Sequence, residues 1–260
     1  MAAGPVILSP ALPSELLAYI IQHQTYPTTL IICSSRAEFL AHLISDVQDT
    51  TRRILHPGTD LNDPSRATDS RPNANALLAS PLYQVAIARH IRMVFVPTVS
   101  HLRAYLSAFT NDDSKVPPPP ASTSARTKRQ SLLLVYGFLN LHCDTSEWSA
   151  QGISSTAASL VEAATRAGFR AVIVDHPRRP PRQNDGDGDE AEDGDGDKVT
   201  EAEDSLLSAE VTVLSSSARR AGADLDDAAW TGRKVTVGRV LGRWFRYGER
   251  GWGMKTHESV

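Results

Sequence analysis

Cysteine is nearly missing from this chain: 260 residues contain two, Cys33 and Cys143. Each lies in or beside an apolar, strand-like run, and two thiols so placed make neither a disulfide framework nor a zinc set. A reducing interior is therefore the expected compartment. Long apolar runs are missing too. No stretch approaches the roughly 20 residues that a membrane-spanning helix needs, and the N-terminus lacks a basic segment followed by a long apolar core. The composition points to a soluble, intracellular protein with no membrane contact.

What is present suits one domain. With 41% hydrophobic residues and a formal charge of −3, the chain can bury one sizeable core, and its polar inserts leave too little apolar material for a second. A single domain over residues 1–260 is expected, interrupted at about 111–130 and 178–204. The first insert contains "VPPPPASTSARTKRQ", whose prolines remove donors and whose Ser/Thr/Ala run has nothing to bury, so a disordered linker is expected. The second, "RRPPRQNDGDGDEAEDGDGDKVTEAED", sets three arginines before a dense acidic run that repels itself and cannot offset its ordering entropy. Asp185, Asp187 and Asp189 have the alternate spacing of a calcium loop. The loop's Gly and Glu positions hold Glu190 and Gly196, however, and no amphipathic helices flank it, so no metal site is read there.

The remainder alternates between strands and helices. "TTLIICS" at 28–34 is a short β-rich run, and the helix after it places Phe39, Leu40, Leu43, Ile44 and Val47 on one face. "HIRMVFVPT" at 90–98 is a strand. It precedes a helix with Leu102, Tyr105, Leu106 and Phe109 at helical spacing and Ser100 as the expected N-cap. After "SLLLVYGF" at 131–138 comes an Ala-rich helix ended by Gly168, then "RAVIVDHP" at 170–177, closed by Pro177. Strands without strict alternation, separated by helices, predict a mainly parallel sheet flanked by helices.

The tail breaks this rhythm. "AEVTVLSSSARR" and "RKVTVGRVLGRWFRYGERGW" read as strands without long helices between them, which predicts an antiparallel C-terminal edge. The second stretch is the most basic part of the chain. Arg233, Lys234, Arg239, Arg243, Arg246 and Arg250 are interleaved there with Trp244, Phe245 and Tyr247. Such a pattern can follow a nucleic-acid backbone while offering rings to bases, and it makes Arg233, Lys234, Arg239, Arg243, Trp244, Arg246 and Arg250 the DNA-binding candidates. The alternative is an edge strand with arginines toward solvent and aromatics toward the core. As a strand, one face would carry Val235, Val237, Arg239, Leu241, Arg243 and Phe245, leaving the basic residues mixed with apolar ones. Near the N-terminus, Leu16, Leu17, Ile20 and Ile21 form an apolar helical stripe that is either a partner interface or a cover for the chain's own sheet.

Catalytic chemistry is thin. A phosphate-binding loop needs Gly-x-x-x-x-Gly-Lys-[Ser/Thr] between a strand and its helix, because glycine backbone wraps the phosphates and lysine neutralises them. "CSSRAEF" at 33–39 has no glycine and no lysine. Ser34, Ser35 and Arg36 remain there as a degenerate anion site or a plain helix cap. The strand "LLLVY" offers Tyr136 where a Mg²⁺-holding acid would stand. His142, Cys143 and Asp144 are consecutive, which does not present a nucleophile to a base from separate elements. Asp175 and His176, at the carboxyl end of a strand, are the residual candidates. No catalytic residue and no cofactor is assigned.

The succession "ARHIRMVFVPTVSHLRAYLSAF", insert, "SLLLVYGFLNL", "TAASLVEAATRAGFRAVIVD" and "VGRVLGRWFRY" resembles a divergent RecA-like (P-loop NTPase-like) recombinase paralogue, similar to the small subunits of Shu-type complexes. In that family a hydrophobic strand of the type Leu-Leu-Leu-Val-Asp-Gly-Leu follows a strand and helix. Residues 132–138 match it, with Tyr136 in place of the acid and Phe138 in place of the last Leu. The resemblance implies a non-enzymatic, nuclear accessory factor for homologous recombination and DNA repair. Such a factor supports recombinase filament assembly on single-stranded DNA beside a recombinase paralogue or a SWIM-type zinc protein. The lack of both nucleotide motifs equally suits the non-catalytic RecA-like subunits of Elongator, which act in tRNA modification. A small hydrolase or transferase using Asp175 and His176 is the third reading.

Overall fold

The computed structural model describes residues 4–23, 26–55, 82–114, 131–177, 206–213 and 233–248. Among these residues six strands form one sheet: β1 (Val6–Ile7), β2 (Thr28–Ile32), β3 (Ile91–Phe95), β4 (Leu132–Tyr136), β5 (Arg170–Val174) and β8 (Arg246–Tyr247), in the order β3-β2-β4-β5-β1-β8. Every pairing in it is parallel. The central β2 and β4 are buried along their whole length, as expected of parallel strands covered on both faces.

Alternation divides the side chains of each strand between two cores. Leu30, Ile32, Leu132, Leu134 and Tyr136 face α1 (Pro13–His23) and α2 (Arg36–Leu55), where they meet Leu16, Ile20 and Phe39. Ile31, Leu133, Val135 and Ile173 face the other way, onto α4 (Val99–Ala108), α5 (Phe138–His142), α6 (Ala150–Ala167) and α7 (Val237–Leu241). A short helix, α3 (Leu82–Ala88), precedes β3. The mainly parallel, helix-flanked sheet read from the sequence is the architecture found.

Local signals set the helix ends. Ser149 caps α6 by accepting the Gly152 N–H, and Gly168 ends it in the left-handed conformation at φ +75°, where glycine has no Cβ penalty. α4 is capped by Thr98 rather than Ser100: the Thr98 hydroxyl accepts the His101 N–H, so the helix starts one residue before Ser100 instead of after it.

Three expectations change. The antiparallel pair β6 (Glu210–Thr212) and β7 (Lys234–Thr236) exists, but it stands as its own two-stranded sheet, and the main sheet's C-terminal edge is the parallel β8. The run after β7 is not one strand, because Thr236 caps the helix α7 and the chain keeps a helical path to Phe245, whose N–H donates to Leu241 O. At the start of the first insert, Asn111–Ser114 forms a 3₁₀ turn. Residues 115–130, the acidic insert at 178–204 and Arg250 lie outside the described residues.

Candidate functional site

The strand preceding the first helix is β1, not the run at 28–32. Its loop, "LSPAL" at 8–12, leads into α1 and contains neither glycine nor lysine. Two residues of strand show no periodicity, so this element escapes a sequence reading. Ser34, Ser35 and Arg36 belong instead to the start of α2. There Ser35 Oγ accepts the Glu38 N–H at 3.2 Å while Glu38 Oε2 accepts the Ser35 N–H at 2.9 Å. This is a capping box. The Glu38 carboxylate takes the place an anion would need and is held below the usual carboxylate range by the Ser35 N–H and hydroxyl. The cap reading of this triplet replaces the anion-site reading, and Arg36 is exposed beside it.

Tyr136 is fully buried at the carboxyl end of β4. Its hydroxyl donates to Ala11 O, in the loop after β1, at 2.8 Å and lies 3.1 Å from His176 Nδ1. A phenol has one proton. With that proton on the carbonyl, Nδ1 must carry the imidazole hydrogen and Nε2 is left bare. Burial, reinforced by Asp46, Asp175 and Glu15, pushes the phenol far above its ordinary range, so it stays protonated. The His176 ring lies over Tyr136 with centroids 4.3 Å apart, and His42 meets it edge-on at 5.7 Å. Desolvation, then His42, pushes His176 down to about 4.

Asp175 and His176 do not act as a pair. Asp175 Oδ1 accepts the Leu139 N–H at 2.8 Å, and the Asn140 N–H also supports it, so the carboxylate holds the start of α5. Burial outweighs both donors and pushes the carboxyl up to about 7. His176, one residue on, bonds instead to Tyr136, in the layer of α1 and α2. Cys33, just past β2, packs instead into the core on the opposite face of the sheet. A Cβ on Gly137, which sits at φ +80°, would lie 3.6 Å from Cys33 Cβ and 3.5 Å from the His176 ring. Burial, then Asp175, holds the Cys33 thiol well above its ordinary range, so it is not a thiolate nucleophile. Among the described residues no three His, Cys, Asp or Glu side chains converge as a metal set.

A second locus comes from the basic tail. Because α7 is helical, Val237, Leu241 and Phe245 recur every four residues and are buried, whereas Arg239 and Arg243 are exposed. The helical period therefore separates charge from apolar surface, which a strand would have mixed. Arg239, Val240, Arg243 and Trp244 line a groove of about 440 Å³ against Gln151 and Ser154 of α6. The Trp244 indole N–H donates to Ser154 Oγ at 3.0 Å. Lys234 instead pairs with Glu210 at 3.4 Å. Arg233 and Arg246 are exposed and do not line the groove. No feature of the sequence pointed to Gln151 or Ser154, which lie far from the tail along the chain.

The N-terminal stripe covers the chain's own sheet. Leu16 and Ile20 are buried at 0% and 3% exposure in the core below α1, which rules them out as an interface. Leu17 and Ile21 are half-buried. The sequence reading also missed Asp46, a buried carboxylate that accepts the Ser14 N–H at 2.9 Å and fastens α1 to α2.

No family model matches the chain, and no curated protein matches it. Among solved structures, the chain is similar to a DnaB-like replicative helicase, in a structure that also concerns that helicase's interactions with primase. The identity is 10% and the TM-score 0.33, over 70% of this chain and 42% of the helicase chain. The chain thus spans less than half of that protein, and a superposition this loose defines neither family nor activity.

Proposed function

We propose that this chain is a non-catalytic, RecA-like accessory subunit in homologous recombination and DNA repair. In this reading it works in the nucleus within a Shu-type heteromeric complex and helps a recombinase filament assemble on single-stranded DNA. The observation that carries the non-catalytic half is the bond from Tyr136 Oη to Ala11 O. In P-loop ATPases the strand-end acid and the phosphate loop share one Mg²⁺. Here the loop after the first strand and the end of "LLLVY" are joined directly by a phenol, and the space between them is filled by the Tyr136 and His176 rings. A sheet of this kind without loop chemistry or acid is useful through the surfaces it presents. The groove with Arg239, Arg243 and Trp244 is the surface suited to a nucleic acid.

Calorimetric titration of the full chain with Mg·ATP is expected to give no binding heat, and a micromolar, stoichiometric isotherm would overturn the non-catalytic reading. Affinity capture tests the assembly. Recovery of a recombinase or a SWIM-type zinc protein supports it, and recovery of Elongator subunits would move the chain to tRNA modification.

A further inference from the structure

We propose that the groove between α6 and α7 seats one nucleotide unit of single-stranded nucleic acid, its base stacked on Trp244 and its flanking phosphates on Arg239 and Arg243. The inference rests on the reading above that the chain works on single-stranded DNA, and it assigns the place and the residues. The groove's volume of about 440 Å³ falls in the range of roughly 300–1,000 Å³ typical of small-ligand pockets.

Three features select an anionic, aromatic occupant. Arg239 and Arg243 are exposed, one helical turn apart, and make no ion pair among the described residues. Among the described residues the remaining polar lining is neutral: Gln151, Ser154 and Ser155, with no carboxylate. Trp244 is 37% exposed, yet its indole N–H is tied to Ser154 on the opposite wall. A ring fixed in that way is a prepared stacking face, since little side-chain freedom is left to lose on binding. A protein partner with an apolar helix would use the groove's valines but leave both guanidinium groups desolvated without counter-charge. A nucleotide satisfies both parts, because every base has a π-face and every linkage a phosphate.

The test is fluorescence anisotropy of the full-length protein with a labelled oligothymidylate, with and without one central abasic site, at several salt concentrations. Trp244→Ala is expected to weaken binding about 5- to 150-fold, the span of base–aromatic stacking, with the salt slope unchanged. Trp244→Phe should keep most of the affinity. The abasic site should weaken the wild type more than Trp244→Ala. Arg239→Ala with Arg243→Ala should flatten the slope of log K against log salt by roughly 1.4, two contacts at about 0.7 each. Both arginines are exposed, so that variant is expected to fold even if the tryptophan variants do not. Wild-type binding that none of these changes affects would overturn the groove assignment while leaving the single-stranded DNA reading intact. Absence of wild-type binding would overturn both. Loss of a captured protein in the arginine variant, with DNA affinity unchanged, would assign the groove to a protein contact and also overturn the inference.

Discussion

Tyr136 shows how one side chain can close a crevice. It fills the end of β4 with a ring that meets Phe39 edge-on at 6.1 Å and His176 at 4.3 Å, and its only proton is committed to Ala11 O. Tyr136→Phe keeps the ring and strands the carbonyl and the imidazole N–H, so about 1–3 kcal/mol of stability should be lost. Urea denaturation should show a lower midpoint at unchanged m. Tyr136→Asp is the sharper trial, since it supplies the acid that an ATPase strand carries. It should destabilise the fold by about 3–5 kcal/mol, because a carboxylate is buried without a partner. It should gain no Mg·ATP binding, because "LSPAL" still lacks the glycines and lysine that cradle phosphates. Nucleotide binding by this variant would reveal a latent site.

Elements show a similar contrast between short-range pattern and long-range packing. On α1, a stripe of four aliphatics reads equally as an interface or as a core cover, and the sheet beneath it decides for the core at Leu16 and Ile20. Leu16→Asp with Ile20→Asp should therefore remove the cooperative thermal transition seen by circular dichroism, since each charge would be desolvated without a counter-ion. A soluble, folded double mutant that merely lost a partner would restore the interface reading. On α7, Thr236 and the four-residue spacing of Val237, Leu241 and Phe245 specify a helix. Gly238 permits its close approach, because a Cβ there would lie 3.1 Å from Leu207 O.

For the molecule as a whole, buried titratable groups pull stability in opposite directions with pH. His176 falls to about 4 from an ordinary 6.5, so between those values the unfolded chain holds more protons and stability rises with pH. His142 is likewise lowered, chiefly by burial, and has the same sign. Asp175 rises to about 7 from 3.8, so across that window the folded chain holds more protons and stability falls as pH rises. His176 and Asp175 thus oppose each other between about pH 4 and 6.5, and His142 adds to the rise. Asp175→Asn removes the falling contribution and keeps an acceptor for the Leu139 N–H. Urea unfolding at three pH values in this window should show the variant's stability rising more steeply than the wild type's, by about 1.4 kcal/mol per pH unit. Equal slopes would mean that Asp175 is ionised in the folded protein.

Several features of this protein are legible from neighbouring residues alone. A five-residue apolar run such as "LLLVY", and the β-rich "TTLII" with its apolar second half, specify strands buried on both faces, hence a parallel sheet, because neither shows a polar face for water. Ser35 with Glu38, and Gly168, mark helix ends through contacts within a few residues. β1 leaves no mark in the sequence because two residues carry no period, and α7 resembles a strand there because a helical turn and a half also fits alternation over so short a span. The groove and the closed crevice depend on contacts between residues remote along the chain: Trp244 meets Ser154 across 90 positions, and Tyr136 meets Ala11 across 125. Local propensity does not encode such pairs. They exist because packing helices on both faces of one sheet brings the carboxyl ends of distant strands, and the flanks of distant helices, to the same place.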